Sequence, residues 1–195
     1  MDIIHNADEE RMKWKTLSSE YLFNDTWLRA RRDKCQKSDG KIVYPYYIVE
    51  YPQWATGMGL TEDNKVVLVK QYRHAVEMVS IEIPGGCIDA TDANPEAAIR
   101  REFIEETGYT FEKVEYLGKT SPNPSTNTNW MHMFLLTGGR LTHPQSFDEN
   151  EEIEVLLVSL DEFVQMVLSN QIIQAMHMTT IFFALQRMGK LSIDL

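Results

Sequence analysis

One run of the chain, Gly85 to Tyr109 (GGCIDATDANPEAAIRREFIEETGY), constrains the fold more than any other. It opens on two adjacent glycines and closes in a helix whose acidic residues crowd one side. Asn94 is suited to cap that helix, Pro95 to occupy its first turn, and Gly108 to end it. Between them Ala97, Ala98, Arg100, Arg101, Glu102 and Glu105 are good helix formers. Glu102, Glu105 and Glu106 are spaced by three and four residues, so their carboxylates share one face. Left bare, such a face repels itself. Water can solvate it, which is the ordinary meaning of a charge run. Alternatively a divalent cation can neutralise it, since magnesium is commonly held by a few carboxylates together with water and substrate phosphates.

The spacing favours the second use. Arg101, Glu102, Phe103, Glu105, Glu106, Gly108 and Tyr109 resemble, at every defining position, the second half of the signature box of the Nudix hydrolases. Those enzymes cleave a nucleoside diphosphate linked to another moiety. The first half departs from the pattern. Five residues separate Gly86 from Asp92 and eight separate Asp92 from Arg101, one more than the family has, and Asp stands where the family has Glu. In the family that early acid braces the box arginine, so the departure touches the bracing more than the catalysis. The resemblance implies an α+β chain with the Nudix fold, a mixed β-sheet sandwiched between α-helices. It also implies that Glu102, Glu105, Glu106 and the Gly85 carbonyl hold Mg2+ or Mn2+.

Composition bounds the alternatives. A chain of 195 residues with 43% hydrophobic and 25% charged residues has the make-up of a soluble globular protein with a substantial core. A net charge of −10 argues against broad binding to nucleic acid or to an anionic membrane. It leaves room for an anionic small substrate, because a bound metal inverts the local field. Two cysteines, Cys35 and Cys87, make neither a disulfide framework nor a metal cluster. No stretch reaches the roughly 18 apolar residues of a membrane span, and the charged N-terminus lacks the apolar run of a signal peptide. The expected compartment is the cytoplasm.

The chain up to residue 11 is polar and reads as loosely held. From Trp14 to Tyr51 the pattern is that of strands, broken by turns at Asn24-Asp25 and Ser38-Asp39-Gly40. Pro45 demotes its strand, Ile42 to Val49, to an edge or a bulge. This region is rich in aromatics. They suit a packed sheet face, and they also suit stacking on a base, worth about 1–3 kcal/mol per base. Among Nudix proteins, those acting on ADP-ribose carry such an N-terminal antiparallel sheet, which commonly dimerises and lends aromatics to the nucleobase. By that resemblance Trp27 and Tyr46 bind the base, residues 1–52 form the N-terminal strand region, and residues 53–195 form the hydrolase domain.

Strands are expected at Gln53 to Met58 and Lys65 to Arg73, joined by the turn Thr61 to Asn64. Val66 to Val69 is continuously apolar, hence buried on both faces. Arg73 leaves this strand and suits either a surface ion pair or a bidentate grip on a diphosphate. Ile81 to Pro84 is a short strand feeding the Gly85-Gly86 turn. The relatives favour a diphosphate contact for Arg73 and a substrate or site-ordering role for Glu82. Beyond the box come a strand at Lys113 to Thr120, a proline-containing polar loop, and a core strand at Trp130 to Leu136, where His132 reads as a core residue. Pro124, fifteen residues past Tyr109, resembles a marker of ADP-ribose hydrolases. The acidic run Phe147 to Glu154 suits a solvated loop or a source of a base; by resemblance Glu149 or Glu151 is the candidate base or further metal ligand. Ser159 and Glu162 form a capping box. A last helix, Gln174 to Met188, should lay Ile181, Phe182, Leu185 and Met188 on the sheet.

The implied activity is metal-dependent hydrolysis of a nucleoside diphosphate sugar, ADP-ribose first, by a homodimer joined through the N-terminal strands. GDP-mannose is the rival substrate, and a non-catalytic Nudix-type ligand sensor is the reading from another class.

Overall fold

The computed structural model describes residues 8–26, 28–146 and 152–191. The chain forms two compact units. One contains the chain up to Tyr51 together with Ser121–Asn129; the other contains Pro52–Thr120 and the chain from Trp130 onward.

The first unit starts with a short helix α1 (Asp8–Met12), where the sequence suggested only a loose end. Three strands follow in an antiparallel sheet of order β1 (Lys15–Asn24), β2 (Arg29–Gln36), β3 (Ile42–Glu50). Gly40 turns the chain between β2 and β3 with φ +84°, and the Asp39 carboxylate accepts the Lys41 N–H. Pro45 lies on an outer strand. There the register slips, Asp33 facing Tyr46 and Cys35 facing Val43, as a residue without an N–H requires. The loop Ser121–Asn129 ties back to β3, with the Val49 N–H donating to the Thr126 carbonyl at 2.8 Å.

The second unit is a seven-stranded mixed sheet between helices. Its main path runs β10 (Ile153–Ser159), β5 (Lys65–Arg73), β4 (Trp54–Thr61), β9 (Met131–Leu141), β8 (Tyr109–Thr120), and only β4 and β9 are parallel. Strand β8 starts at once after the helix, earlier than Lys113. Helix α2 (Pro95–Thr107) covers one face. Its Ala98, Ile99 and Phe103 pack with Ala55, Val67, Phe134 and Leu136. Helices α3 (Leu160–Leu168) and α4 (Ala175–Arg187) cover the other, against Met58, Leu60, Val66, Leu68 and Leu135. Val67 thus faces α2 while Val66 and Leu68 face the opposite layer, which is why this strand is apolar without alternation. In β4 the small residues face α2: a Cβ on Gly57 or Gly59 would run into the Phe103 ring.

Two caps form as the sequence indicates. The Asn94 side chain accepts the Ala97 N–H at 2.9 Å, and the Ser159 hydroxyl accepts the Glu162 N–H at 3.2 Å. One expectation for α4 fails. Ile181 and Leu185 are buried and Met188 packs at the edge of the core, but Phe182 is exposed, edge-on to Phe183. A position adjacent to Ile181 is about 100° away around the helix, so both cannot face the sheet.

The sheet splits where the site lies. Strands β4 and β5 pair only at Gly59–Val67 and Leu60–Val66 and then part. Beyond that point β6 (Met78–Glu82) takes the edge of β5, and β7 (Gly85–Cys87) takes the edge of β4. Between them the Pro84 carbonyl accepts from the Gly57 N–H at 3.1 Å and the Thr56 hydroxyl at 3.2 Å. The glycine pair is therefore a short paired strand rather than a free turn.

Candidate active site

Helix α2 runs alongside the split and places its acidic side against β7. The Glu106 carboxylate is buried and accepts the Gly85 N–H at 3.1 Å. Glu102 comes still closer to the backbone: a Cβ built on Gly86 would lie 2.5 Å from Glu102 Oε1. Glycine is thus required at 86 for the approach of a carboxylate, not for an unusual backbone angle.

Glu105 takes a different direction. Its Oε2 accepts from Arg101 Nη1 at 2.7 Å. Arg101 is the hub of the helix start. Its Nε and Nη2 donate to the two oxygens of Asp92 at 3.2 and 3.0 Å, Nη2 also reaches the Cys87 carbonyl at 2.9 Å, and Nη1 lies 3.0 Å from Glu102 Oε1. Asp92 therefore braces Arg101 despite the longer loop and shorter acid. The Asp89 N–H donates to Asp92 Oδ2 at 2.8 Å and tightens the loop that carries it. The hydrogen bonds to Arg101 hold the Asp92 carboxyl below its usual range, and the Asp92 bond in turn raises the Arg101 guanidinium.

Across the split, Arg73 at the end of β5 meets Glu82 at the end of β6. Nε and Nη2 donate to Oε1 and Oε2 at 2.8 and 2.7 Å, a parallel two-bond pair. The Glu82 side chain is 2% exposed and that of Arg73 46%. Burial alone would raise the Glu82 carboxyl, yet the hydrogen bond from Arg73 and the Arg73 charge hold it below the usual range. The bidentate geometry expected for a diphosphate is thus directed at Glu82 here.

A cavity of about 270 Å³ opens at this place. Arg73, Gly85 and Gly86 line it, with Trp54 and Met131 from the strand ends and Gln174 and His177 from the start of α4. His177 is 7% exposed, and burial pushes its pKa down to about 4. Its Nδ1 stands 3.6 Å from Glu82 Oε2. Burial also pushes the Cys87 thiol up. The sequence reading missed Trp54, Gln174 and His177. Nothing local marks them, because each reaches the cavity through its place in the sheet or on α4.

The structure brings together Arg73, Glu82, Gly85, Glu102 and Glu106, while Glu105 is drawn to Arg101. In the first unit, Tyr46 donates its hydroxyl to the Ser125 carbonyl at 2.8 Å and meets the Trp14 ring edge-on. Trp27, Glu149 and Glu151 lie outside the described residues. His132 is half-buried, hydrogen-bonded at 3.1 Å to the Tyr116 hydroxyl, and its pKa is lowered by burial.

The family described as NUDIX domain matches residues 52–176, more than half of the chain. This chain belongs to the Nudix family. It is a Nudix hydrolase with pyrophosphatase relatives. The family described as nucleoside diphosphate sugar hydrolase N-terminal domain matches residues 14–49. A methanol dehydrogenase activator of Bacillus methanolicus is 28% identical, covering 81% of this chain and 85% of the relative. An ADP-ribose pyrophosphatase of Bacillus subtilis is also 28% identical, covering 83% and 86%. A GDP-mannose pyrophosphatase of Klebsiella pneumoniae is 33% identical, covering 77% and 81%. A solved structure of an ADP compounds hydrolase superposes with a TM-score of 0.79 over 92% of this chain and 97% of that one, at 18% identity, and so shares the Nudix fold.

Nudix hydrolases generally use divalent metals, and the donors here fit one. Asp92, Glu102 and Glu105 stand around the Arg101 guanidinium and Glu106 stands against Gly85, an excess of negative charge made of hard oxygen donors. Among the described residues no three His, Cys, Asp or Glu side chains are already gathered as a ligand set. Glu105 and Glu102 are instead turned to Arg101. Among the described residues no helix is long and apolar enough to cross a membrane.

Proposed function

We propose that this Nudix hydrolase cleaves the diphosphate of a nucleoside diphosphate sugar, with ADP-ribose giving AMP and ribose 5-phosphate. The observation that carries this reading is the Gly85-Gly86 strand, which lines one cavity together with Arg73 and has Glu102 and Glu106 of α2 against it. Relatives named for ADP-ribose and for GDP-mannose support it, and GDP-mannose is the alternative substrate.

Glu102, Glu105, Glu106 and the Gly85 carbonyl would hold Mg2+ or Mn2+, which supplies charge neutralisation on the diphosphate oxygens when bound. Arg73 binds the diphosphate and Glu82 orients Arg73. Trp27 and Tyr46 hold the base. Glu149 or Glu151 accepts a proton from the attacking water, whose oxygen bonds to one phosphorus as the bridging P–O bond breaks. The enzyme acts in the cytoplasm as a homodimer through β1–β3. The unbroken exposure of β1, with Leu17, Tyr21 and Phe23 on it, supports that partner.

The test is turnover of ADP-ribose, GDP-mannose and a nucleoside triphosphate, with magnesium and with EDTA, read as phosphate released after phosphatase coupling. ADP-ribose should be fastest, and only with magnesium. The Glu106→Gln enzyme should lose about 10²–10³-fold in kcat. Binding without turnover of any substrate would instead make the protein a sensor, and full activity in Glu106→Gln would remove the metal role from that residue.

A further inference from the structure

Glu82 is a buried carboxylate, and Arg73 satisfies both of its oxygens. A diphosphate in the cavity competes for the same guanidinium. If Arg73 turns to the ligand, Glu82 loses the cation that compensates it, and an uncompensated buried carboxylate is strongly disfavoured. Binding therefore calls for a second partner on Glu82.

His177 stands in that position. The residue is 7% exposed, it lines the cavity, and Nδ1 faces Glu82 Oε2 at 3.6 Å. That distance is too long for a hydrogen bond, and Nδ1 is a buried polar atom without a hydrogen-bond partner. A buried, unsatisfied nitrogen needs a reason. The ring is neutral, so it carries one N–H, and the facing carboxylate selects the tautomer with that proton on Nδ1.

We propose that His177 is a positioning residue that takes over Glu82 by an Nδ1–H hydrogen bond when Arg73 turns to the substrate's diphosphate. The start of α4 thereby sets diphosphate affinity. This rests on the cavity being the diphosphate site, as proposed above, but not on which base or sugar is attached. The exchange moves no covalent bond and needs no metal.

Inorganic pyrophosphate in EDTA is the probe, since it carries the shared chemistry without base or sugar. Calorimetry on the full chain compares wild type, His177→Phe, which keeps a ring without a donor, and His177→Asn, whose amide restores a donor near Nδ1. In His177→Phe the Kd should rise about tenfold, the value of one hydrogen bond to a charged group. KM for ADP-ribose should rise alongside it, with kcat and Tm kept, and His177→Asn should recover most of the loss. A merely structural histidine would lower Tm in both variants and leave Kd alone. In the wild type, the His177 Nδ1–H proton resonance should move downfield on saturation with pyrophosphate; this reading needs no variant to fold. An unmoved resonance, an unchanged Kd in His177→Phe, or no pyrophosphate binding by wild type each overturns the proposal. Pyrophosphate binding with the expected shift, but no turnover of either nucleotide sugar, would overturn the functional reading alone.

Discussion

Two arginines of the catalytic unit are each forked onto a carboxylate, and the settings differ. Arg101 is 26% exposed and is surrounded: Asp92 takes two of its N–H groups, Glu105 and Glu102 flank a third nitrogen, and the Cys87 carbonyl completes the set. Arg73 is 46% exposed at the cavity, its fork on Glu82. A guanidinium with partners on every side is a brace, and moving it would uncover several charges at once. One nearly half exposed at a cavity can be redirected if its carboxylate finds other support. The difference separates a residue that shapes the acidic face from one that the proposed function assigns to the diphosphate.

The largest effect that tests this contrast is on stability against pH. His177, facing Glu82 and Arg73, has its folded pKa lowered from 6.5 to about 4. Between those values the unfolded chain binds a proton that the folded one refuses, so stability falls as pH drops through this window, by up to roughly 3 kcal/mol. The carboxyls of Asp92 and Glu82 are also depressed in the fold, so their contribution is kept above the ordinary carboxylate range and lost at lower pH. Urea midpoints from pH 7.5 downward should thus show the Arg73 setting responding first. In His177→Phe the upper part of that slope should flatten; an unchanged slope would assign it elsewhere.

Next comes Gly86→Ala. The new Cβ would meet the flexible end of Glu102, so the protein should fold with its Tm kept, while displacement of the carboxylate lowers kcat about 10²-fold. The neighbouring Gly85→Ala meets the backbone carbonyl of Ala55 at 2.5 Å and should destabilise instead. Equal behaviour of the two alanines would erase the distinction.

Asp92→Asn tests the brace. It should cost about 2 kcal/mol of stability by chemical denaturation, since a hydrogen-bonded charge pair is lost while the amide keeps part of the contact. KM should stay as it is. Arg73→Lys is the smallest change. Lysine keeps the charge but not the fork, so KM for ADP-ribose should rise about tenfold with little loss of stability. A large drop in Tm there, and none in Asp92→Asn, would reverse the roles given to the two arginines.

Much of this was legible before the structure. The cap at Asn94, the stop at Gly108, the buried strand Val66 to Val69 and the acidic face of α2 are written in spacings of a few residues. The bracing by Asp92 was open, because a loop with one extra residue has many paths and only packing against β7 selects one. The direction of Glu105 was also hidden. Helical spacing puts Glu105 on the side of Glu102, but it puts it equally within reach of Arg101, four residues before it, and the nearer opposite charge prevails in this structure. Phe182 was misplaced because a stretch apolar on adjacent positions does not declare which of them faces inward.

What the sequence determined by itself was therefore the local machinery: a helix, its caps, three carboxylates at Glu102, Glu105 and Glu106, and a glycine pair before them. Helical geometry repeats over a few residues, so type and spacing suffice. Tertiary structure alone decided that β4 and β5 part, that β6 and β7 fill the gap, and that Arg73, Glu82 and His177 meet there. Glu82 and His177 are 95 residues apart, and only the packing of α4 on the forked sheet places one against the other.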